Sequence, residues 1–349
     1  MRAMVCTRYG PPDVLQLQEV RRPEPRDNQI RVRVRATSVG YGDLTIRNFR
    51  SVTPRDFNMP IFLWAIAKVV SGIRKPRTPI LGSEFAGVVE SIGRAVRTFT
   101  PGDEVFGYLG QSMGADAEYL CMPENGCVTR KPVNMSFDEA AVASYGAIMA
   151  LDLLRSAGVE PGQRVLVVGA SGGIGSAAVQ LAKNHFGASV TGVCSTPRME
   201  LVKTLGADKV IDYTKEDFTQ SGEVYDLIFD VLGRSSYALC KGSLSERGRY
   251  LPASFKGKQL LQMLWTGLNG GKRRVICAIA PGSSEALRTV KDLIESGKLR
   301  SVIDRRFPLE QLAEAHRYAE SGQARGRIAI TLGASGASAR RSSASPVKS

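Results

Sequence analysis

Arg164-Val-Leu-Val-Val-Gly-Ala-Ser-Gly-Gly-Ile-Gly175 runs an apolar strand into a glycine turn, and Ser176-Ala-Ala-Val-Gln-Leu-Ala-Lys183 continues it as a helix of small residues. This order suits a dinucleotide diphosphate. Glycines let backbone N–H groups approach the phosphates, and the helix N-terminus adds the positive end of a dipole. Val165 to Val168 is the continuous apolar run of a parallel strand buried on both faces. Further strands are predicted at 189–194, 209–213, 226–231, 248–251 and 274–279, with a helix at 199–205. Alternation of this kind predicts an α/β fold built on a doubly wound parallel sheet. The cofactor expected on such a sheet is a nicotinamide dinucleotide.

The choice between NAD and NADP is made about 20 residues past the last glycine, where an acid favours the free ribose and a cation favours the 2′-phosphate. Ser195-Thr-Pro-Arg198 stands there, so Ser195 and Arg198 predict NADPH. A charge-assisted hydrogen bond from Arg198 would be worth about 1.5–3 kcal/mol.

With 349 residues the chain has room for two domains, and the nucleotide unit fills only its middle. No apolar run approaches the ~20 residues of a membrane span, and the N-terminal residues lack the apolar core of a signal peptide. A cytoplasmic location is expected. The net charge of +14 is concentrated at the ends, with fifteen Lys/Arg against six Asp/Glu in residues 1–80. No nucleic-acid motif accompanies it, so nucleic acid is not an expected partner. Six scattered cysteines (6, 121, 127, 194, 240 and 277) and only two histidines (185 and 316) form neither a disulfide framework nor a metal-ligand spacing. Residues 334–349 are rich in Ser and Ala, lack the apolar residues to offset their ordering entropy, and are expected to be disordered.

Residues 30–128 read as short strands broken by Gly and Pro, which suggests a partly closed β-barrel. Leu81-Gly-Ser-Glu-Phe-Ala-Gly-Val-Val89, Pro101-Gly-Asp-Glu-Val-Phe-Gly107 and Pro161-Gly-Gln-Arg-Val165, followed by the glycine turn, resemble the medium-chain dehydrogenase/reductase superfamily over residues 1 to about 332. Zinc alcohol dehydrogenases of that superfamily carry a cysteine and a histidine where this chain has Gly40 and Ser83. The chain therefore looks like the zinc-independent quinone oxidoreductase branch, and more narrowly the reticulon-4-interacting-protein-like reductases, with no metal expected.

The resemblance implies a GroES-like partly open β-barrel, residues 1–135 completed by 283–333, beside a Rossmann domain at 136–282. It implies hydride transfer from NADPH to a quinone or an α,β-unsaturated carbonyl in the cleft between them. Ser171, Gly172, Gly173, Ile174 and Gly175 would hold the diphosphate, and Ser195, Arg198 and Tyr213 the 2′-phosphate and adenosine. Leu232, Gly233, Ala278 and Ile279 would lie against the nicotinamide. Tyr41, Asp43 and Tyr145 are the candidate proton donors or orienters. Gly40, Thr45 and Met149 replace the asparagine, tyrosine and threonine usual in that branch. The protein would be a monomer or a homodimer. Residues 61–75 have helical apolar spacing with Lys68, Arg74 and Lys75, either a lid on the cleft or a weak membrane-surface contact.

Two other readings stand beside this one. Gly169-Ala-Ser-Gly-Gly173 also matches the nucleophile elbow of an α/β-hydrolase, with Ser171 as nucleophile, His316 as base and Asp292 or Asp304 as its acid. Departures among the catalytic positions would equally suit an NADPH-binding sensor or assembly protein with little turnover.

Overall fold

The computed structural model describes residues 1–49, 72, 75–268 and 272–333. Most of the predicted 61–75 segment and the predicted disordered tail lie outside the described residues.

The nucleotide unit is a six-stranded parallel sheet formed by β8 (Arg164–Val168), β9 (Ser189–Cys194), β10 (Lys209–Asp212), β11 (Tyr225–Asp230), β12 (Leu244–Pro252) and β13 (Arg274–Val275). Their order is β10-β9-β8-β11-β12-β13, all pairings parallel, so the chain winds outward twice from β8. The carboxyl ends beside that reversal form the crevice where such sheets take ligands. Val165, Leu166 and Val167 are fully buried, as their two-faced apolar pattern requires. The sixth strand ends at Val275 rather than at the predicted 279, and Ile279 is 79% exposed.

The second unit is a seven-stranded sheet. Its strands β3 (Gln29–Val39), β4 (Glu84–Ile92), β5 (Glu104–Tyr108), β6 (Tyr119–Pro123) and β7 (Val128–Arg130) come from the N-terminal third. The last two, β14 (Ile303–Pro308) and β15 (Arg327–Thr331), return from the far end, with β15 antiparallel to β3 through Ile328↔Val39. The alternation of Ile30, Val32 and Val34 with Arg31, Arg33 and Arg35 puts the aliphatic set into the barrel core. A separate two-stranded ribbon pairs β1 (Arg2–Cys6) with β2 (Leu15–Glu19).

Between the units runs α2 (Phe137–Ala157), the long helix after α1 (Tyr41–Arg47). Ser136 and Glu139 close a capping box at its start, and Gly158 ends it in the left-handed conformation. Its alanine-rich surface packs against β3, β4 and β5 on one side and against α3 (Gly173–Asn184) on the other. The two sheets are thus joined by one helix. The remaining α-helices among the described residues are α4 (Met199–Thr204), α5 (Tyr237–Cys240), α6 (Gly257–Leu268), α7 (Ser284–Glu295) and α8 (Leu312–Glu320).

His316 shows how the barrel is tied to its C-terminal return. It is fully buried on α8, its Nδ1 lies 3.1 Å from Arg47 Nη1, and Arg47 also ion-pairs with Glu320. Burial, with Arg47 beside it, pushes the imidazole pKa down to about 3. The unfolded chain binds this proton near pH 6.5 and the folded chain does not, so stability is lost as pH falls through that interval. The deficit grows to about 2 kcal/mol at pH 5. Denaturation at pH 5 and pH 7.5 should show a His316→Gln protein losing correspondingly less than the parent. Equal losses would remove the histidine from the acid response.

Candidate active site in the interdomain crevice

The turn after β8 is as tight as its glycines suggest. Gly169 has φ +86°, and a Cβ there would stand 2.6 Å from Leu232 Cγ. A Cβ on Gly175 would lie 2.0 Å from the Gly169 carbonyl oxygen. One on Gly146 would lie 2.5 Å from Gly173 O, so α2 packs directly on the turn. A Cβ on Gly172 would meet nothing nearer than 3.5 Å, so its outer side is open. Ser171 and Ile174 flank this opening at the N-terminus of α3. The cradle has the form a diphosphate needs.

The structure adds a cation that sequence reading missed. Arg327, at the start of β15, places Nη1 3.0 Å from the Cβ position of Gly173. It ion-pairs with Glu84, whose side chain is 1% exposed. Glu84 also accepts from Ser38 Oγ, from Ser144 Oγ at 3.2 Å and from Tyr145 N at 2.8 Å. Arg327 Nε is buried with no hydrogen-bond partner. Burial lowers the Arg327 pKa to about 10, so it remains a cation at neutral pH. A buried cation with an unused donor against an anion-binding turn is chemically matched to phosphate.

At the carboxyl ends of β9, β10 and β11, Tyr213 and Leu232 help line a cavity of about 550 Å³ with Thr214, Lys215, Glu216, Asp217 and Arg234. The 195–198 corner faces a second cavity, about 560 Å³, lined by Ser195, Arg198, Arg305, Tyr318 and Arg325. Arg198 is more committed than its sequence position suggests. It donates to Gly322 O at 2.6 Å, to Ala324 O at 2.9 Å and to Ser195 Oγ at 3.3 Å. Arg305 and Arg325, brought in by the C-terminal return, add two cations. Two carboxylates also approach this corner from beyond β9: Asp304, which lines the same cavity, and Asp212, at the end of β10. Asp212 accepts from Thr196 Oγ1 and, at 2.7 Å, from Thr214 Oγ1.

Beyond β11, Asp230 builds the loop that carries Leu232 and Gly233. This fully buried carboxylate accepts from Leu232 N at 3.1 Å, Gly233 N at 2.8 Å, Ser235 N at 2.9 Å and Tyr250 Oη at 2.9 Å. Ala278 and Ile279 lie in the loop beyond β13, on the same carboxyl edge, and Leu232 and Ile279 both keep exposed apolar surface.

The three candidate proton-handling residues separate. Tyr41 is 82% exposed. Asp43 is buried, accepting from Gly40 N at 2.8 Å and Gly82 N at 3.2 Å, and burial pushes its pKa up to about 6. It anchors the loops at 40 and 82. Tyr145 packs its ring 5.1 Å from that of Tyr108, which sequence reading passed over. Burial raises the pKa of both, that of Tyr108 to about 12, so each phenol holds its proton at neutral pH.

Hydrolase chemistry finds no constellation. His316 Nδ1 meets Arg47 and its Nε2 has no partner, while Asp304 accepts from Tyr318 Oη at 2.6 Å. Neither histidine nitrogen is bonded to Ser171, Asp292 or Asp304. The zinc positions fail on donor chemistry, because Gly40 supplies no side chain and Ser83 only a neutral hydroxyl. Among the described residues no three His, Cys, Asp or Glu side chains are grouped to hold a metal ion.

Comparison with known proteins agrees with this architecture. Residues 26–132 match the alcohol dehydrogenase GroES-like domain family, and residues 205–330 match the zinc-binding dehydrogenase family. The chain is 31% identical to the 2-methylene-furan-3-one reductase of Solanum lycopersicum, over 95% of this chain and 79% of that one. It is likewise 31% identical to the mitochondrial NAD(P)H oxidoreductase RTN4IP1 of Mus musculus, over 95% and 89%. The quinone oxidoreductase structure from Coxiella burnetii superposes with a TM-score of 0.80 at 28% identity, covering 95% of this chain and 99% of that one. A glycine turn backed by a cation on a doubly wound sheet, a GroES-like barrel across the crevice and these relatives lead to one conclusion: the chain belongs to the medium-chain dehydrogenase/reductase superfamily, in its quinone oxidoreductase-like branch, and is an NAD(P)H-dependent oxidoreductase.

Proposed function

We propose that the protein uses NADPH, without zinc, to reduce a quinone or an α,β-unsaturated carbonyl. The observation that carries this reading is the tight glycine turn at 169–175 with the buried Arg327 beside Gly173, whose partner Glu84 accepts from the Tyr145 amide. It accords with a relative named as a furanone reductase and a structural neighbour named as a quinone oxidoreductase.

The turn amides and Arg327 hold the diphosphate, and Ser195, Arg198, Arg305 and Arg325 hold the 2′-phosphate. Leu232, Gly233, Ala278 and Ile279 form the apolar seat of the nicotinamide ring. The bound coenzyme supplies the hydride. Tyr145, with Tyr108 stacked on it, keeps a proton at neutral pH and presents it to the acceptor oxygen as negative charge develops there. Asp43 fixes the loops at 40 and 82 without entering the chemistry.

The test is NADPH oxidation against a panel of quinones and enones, with and without a chelator. Turnover untouched by chelation is expected, and Tyr145→Phe should lower kcat by roughly 10²-fold with little change in KM. Tight NADPH binding without oxidation by any acceptor would instead favour the sensor reading. Coenzyme choice has its own measurement. An Arg198→Ala, Arg325→Gln protein should lose about tenfold or more in NADPH affinity while NADH affinity holds. Parallel loss of both affinities would mean that these arginines only brace the 322–324 loop.

A further inference from the structure

The segment between β5 and β6 is folded back on residues 81–83 by its own backbone. Leu109 N donates to Ser83 O at 2.7 Å, Ala115 N to Gly82 O at 3.0 Å and Asp116 N to Leu81 O at 3.0 Å. Within it Met113 has φ 50° and ψ −165°, the one positive φ outside glycine among the described residues. Side chains rarely tolerate that conformation, so the segment is strained and has to be held in place. Tyr108, whose ring stacks on Tyr145, is the residue that leads into it.

A carboxyl group sits at the far end of this segment. Asp116 is 1% exposed, and its Oδ1 lies 2.5 Å from where a Cβ on Gly82 would stand. The equally buried Asp43 accepts from the Gly82 amide. Two buried acids thus meet across one glycine, and they are not equivalent. Asp43 receives two backbone N–H groups, from Gly40 and Gly82, which favours the carboxylate. The Asp116 side chain contacts only the Thr37 hydroxyl, at 3.4 Å, among the described residues. A hydroxyl has one proton, and that of Thr37 already points to Glu84 O at 2.7 Å. The Thr37 oxygen is left to accept, so the proton it shares with Asp116 has to be the carboxyl's own.

The neighbouring charges favour the same state. Burial, with the Asp43 charge beside it, raises the Asp116 pKa well above the usual carboxylate range. Around the pair stand Glu84 on β4, Arg327 on β15 and the Tyr108 phenol on β5. Arg327 is ion-paired with Glu84 and also attracts Asp43, while Arg2 on β1 is paired with Glu118 and Glu310. No cation is bonded to Asp116 among the described residues. Ionised, it would be a third anion beside one guanidinium and would lose its bond to Thr37.

We propose that Asp116 is a positioning residue that, as a neutral acid, latches the 109–116 segment onto residues 81–83, and that its ionisation frees the segment and the Tyr108 phenol, switching the site off on the alkaline side. The effect on turnover rests on the reductase reading, and the latch itself does not. Hydrogen exchange in the 109–116 peptide of the full chain, followed from pH 6.5 to 9.5, reads the latch directly. Corrected for the intrinsic rate, protection should fall about tenfold or more in the parent and stay nearly constant in Asp116→Asn. Infrared spectra at pH 7.5 should show a protonated-carboxyl band that moves with isotope-labelled aspartate and is absent from Asp116→Asn. Asp43, with a pKa of about 6, is ionised there. In the parent, kcat should fall about tenfold between pH 7.5 and 9.5 with little change in KM for NADPH, and Asp116→Asn should flatten that limb. The Tyr108 phenol, at about 12, titrates too high to cause it, and loss of the Arg327 charge at about 10 would raise KM instead. Exchange profiles or alkaline limbs that coincide in the two proteins overturn the proposal. So does a parent that lacks the protonated band at pH 7.5 or keeps its protection to pH 9.5, a result that needs no variant to fold. A latch seen by exchange and infrared in a protein that oxidises NADPH with no acceptor would support the latch and count against the reductase reading.

Discussion

Gly175→Ala is expected to weaken NADPH binding by more than a hundredfold. The added methyl would stand 2.0 Å from Gly169 O and 3.0 Å from Ala170 Cα, both rigid backbone, so α3 has to move off the end of β8. Moving it withdraws the amides aimed at the diphosphate. Each charge-assisted hydrogen bond is worth about 1.5–3 kcal/mol, and losing two costs about 3–6 kcal/mol, or two to four orders of magnitude in affinity. Fluorescence titration with NADPH measures this, with circular dichroism to confirm that the sheet persists. Gly242→Ala is the control, because a Cβ there meets nothing within 4 Å and no positive φ is involved. Near-parental affinity in Gly175→Ala would contradict the placement of the diphosphate.

Glu84→Ala should have the largest effect on stability. It strands Arg327 between the sheets, together with Ser38, Ser144 and the Tyr145 amide that Glu84 now receives. Removing one member of a buried ion pair costs about 3–5 kcal/mol, because the survivor keeps its desolvation penalty without its partner. Removing both members does not leave that orphan. Urea denaturation should therefore find Glu84→Ala, Arg327→Leu more stable than Glu84→Ala alone, though weaker for NADPH. A single-variant loss below about 1 kcal/mol would rank the pair with ordinary surface bridges.

What could be read from the chain was local. The strand entering 169–175 announces itself by a run of apolar residues and a glycine spacing, and the barrel strand at 29–39 by strict alternation. Gly40 and Ser83 were equally legible as positions without metal-ligand chemistry. Arg327, Arg305 and Arg325 were not, because each reaches the crevice on a strand or loop far along the chain from the residues it serves. Nothing in Gly326-Arg327-Ile328 signals a buried carboxylate 243 residues earlier. Arg198 was picked out by its place after β9, yet its hydrogen bonds to the 322–324 carbonyls depend on the same return. Asp212 escaped notice because it ends the neighbouring strand, while the sequence rule inspects only the end of β9.

The late arrival of β15 sets a timetable for biosynthesis. Val39 leaves the ribosome 289 residues before its partner Ile328, a delay of roughly 15–60 s at ordinary elongation rates. Throughout that interval the 36–39 end of β3 lacks the neighbour that β15 supplies, and Glu84 has no guanidinium to neutralise it. The central parallel sheet, whose strands are all synthesised by residue 275, has everything it needs to form first. Nascent chains of this protein thus pass through a stage with a finished nucleotide unit and an open barrel, the stage at which chaperones or misassembly would act.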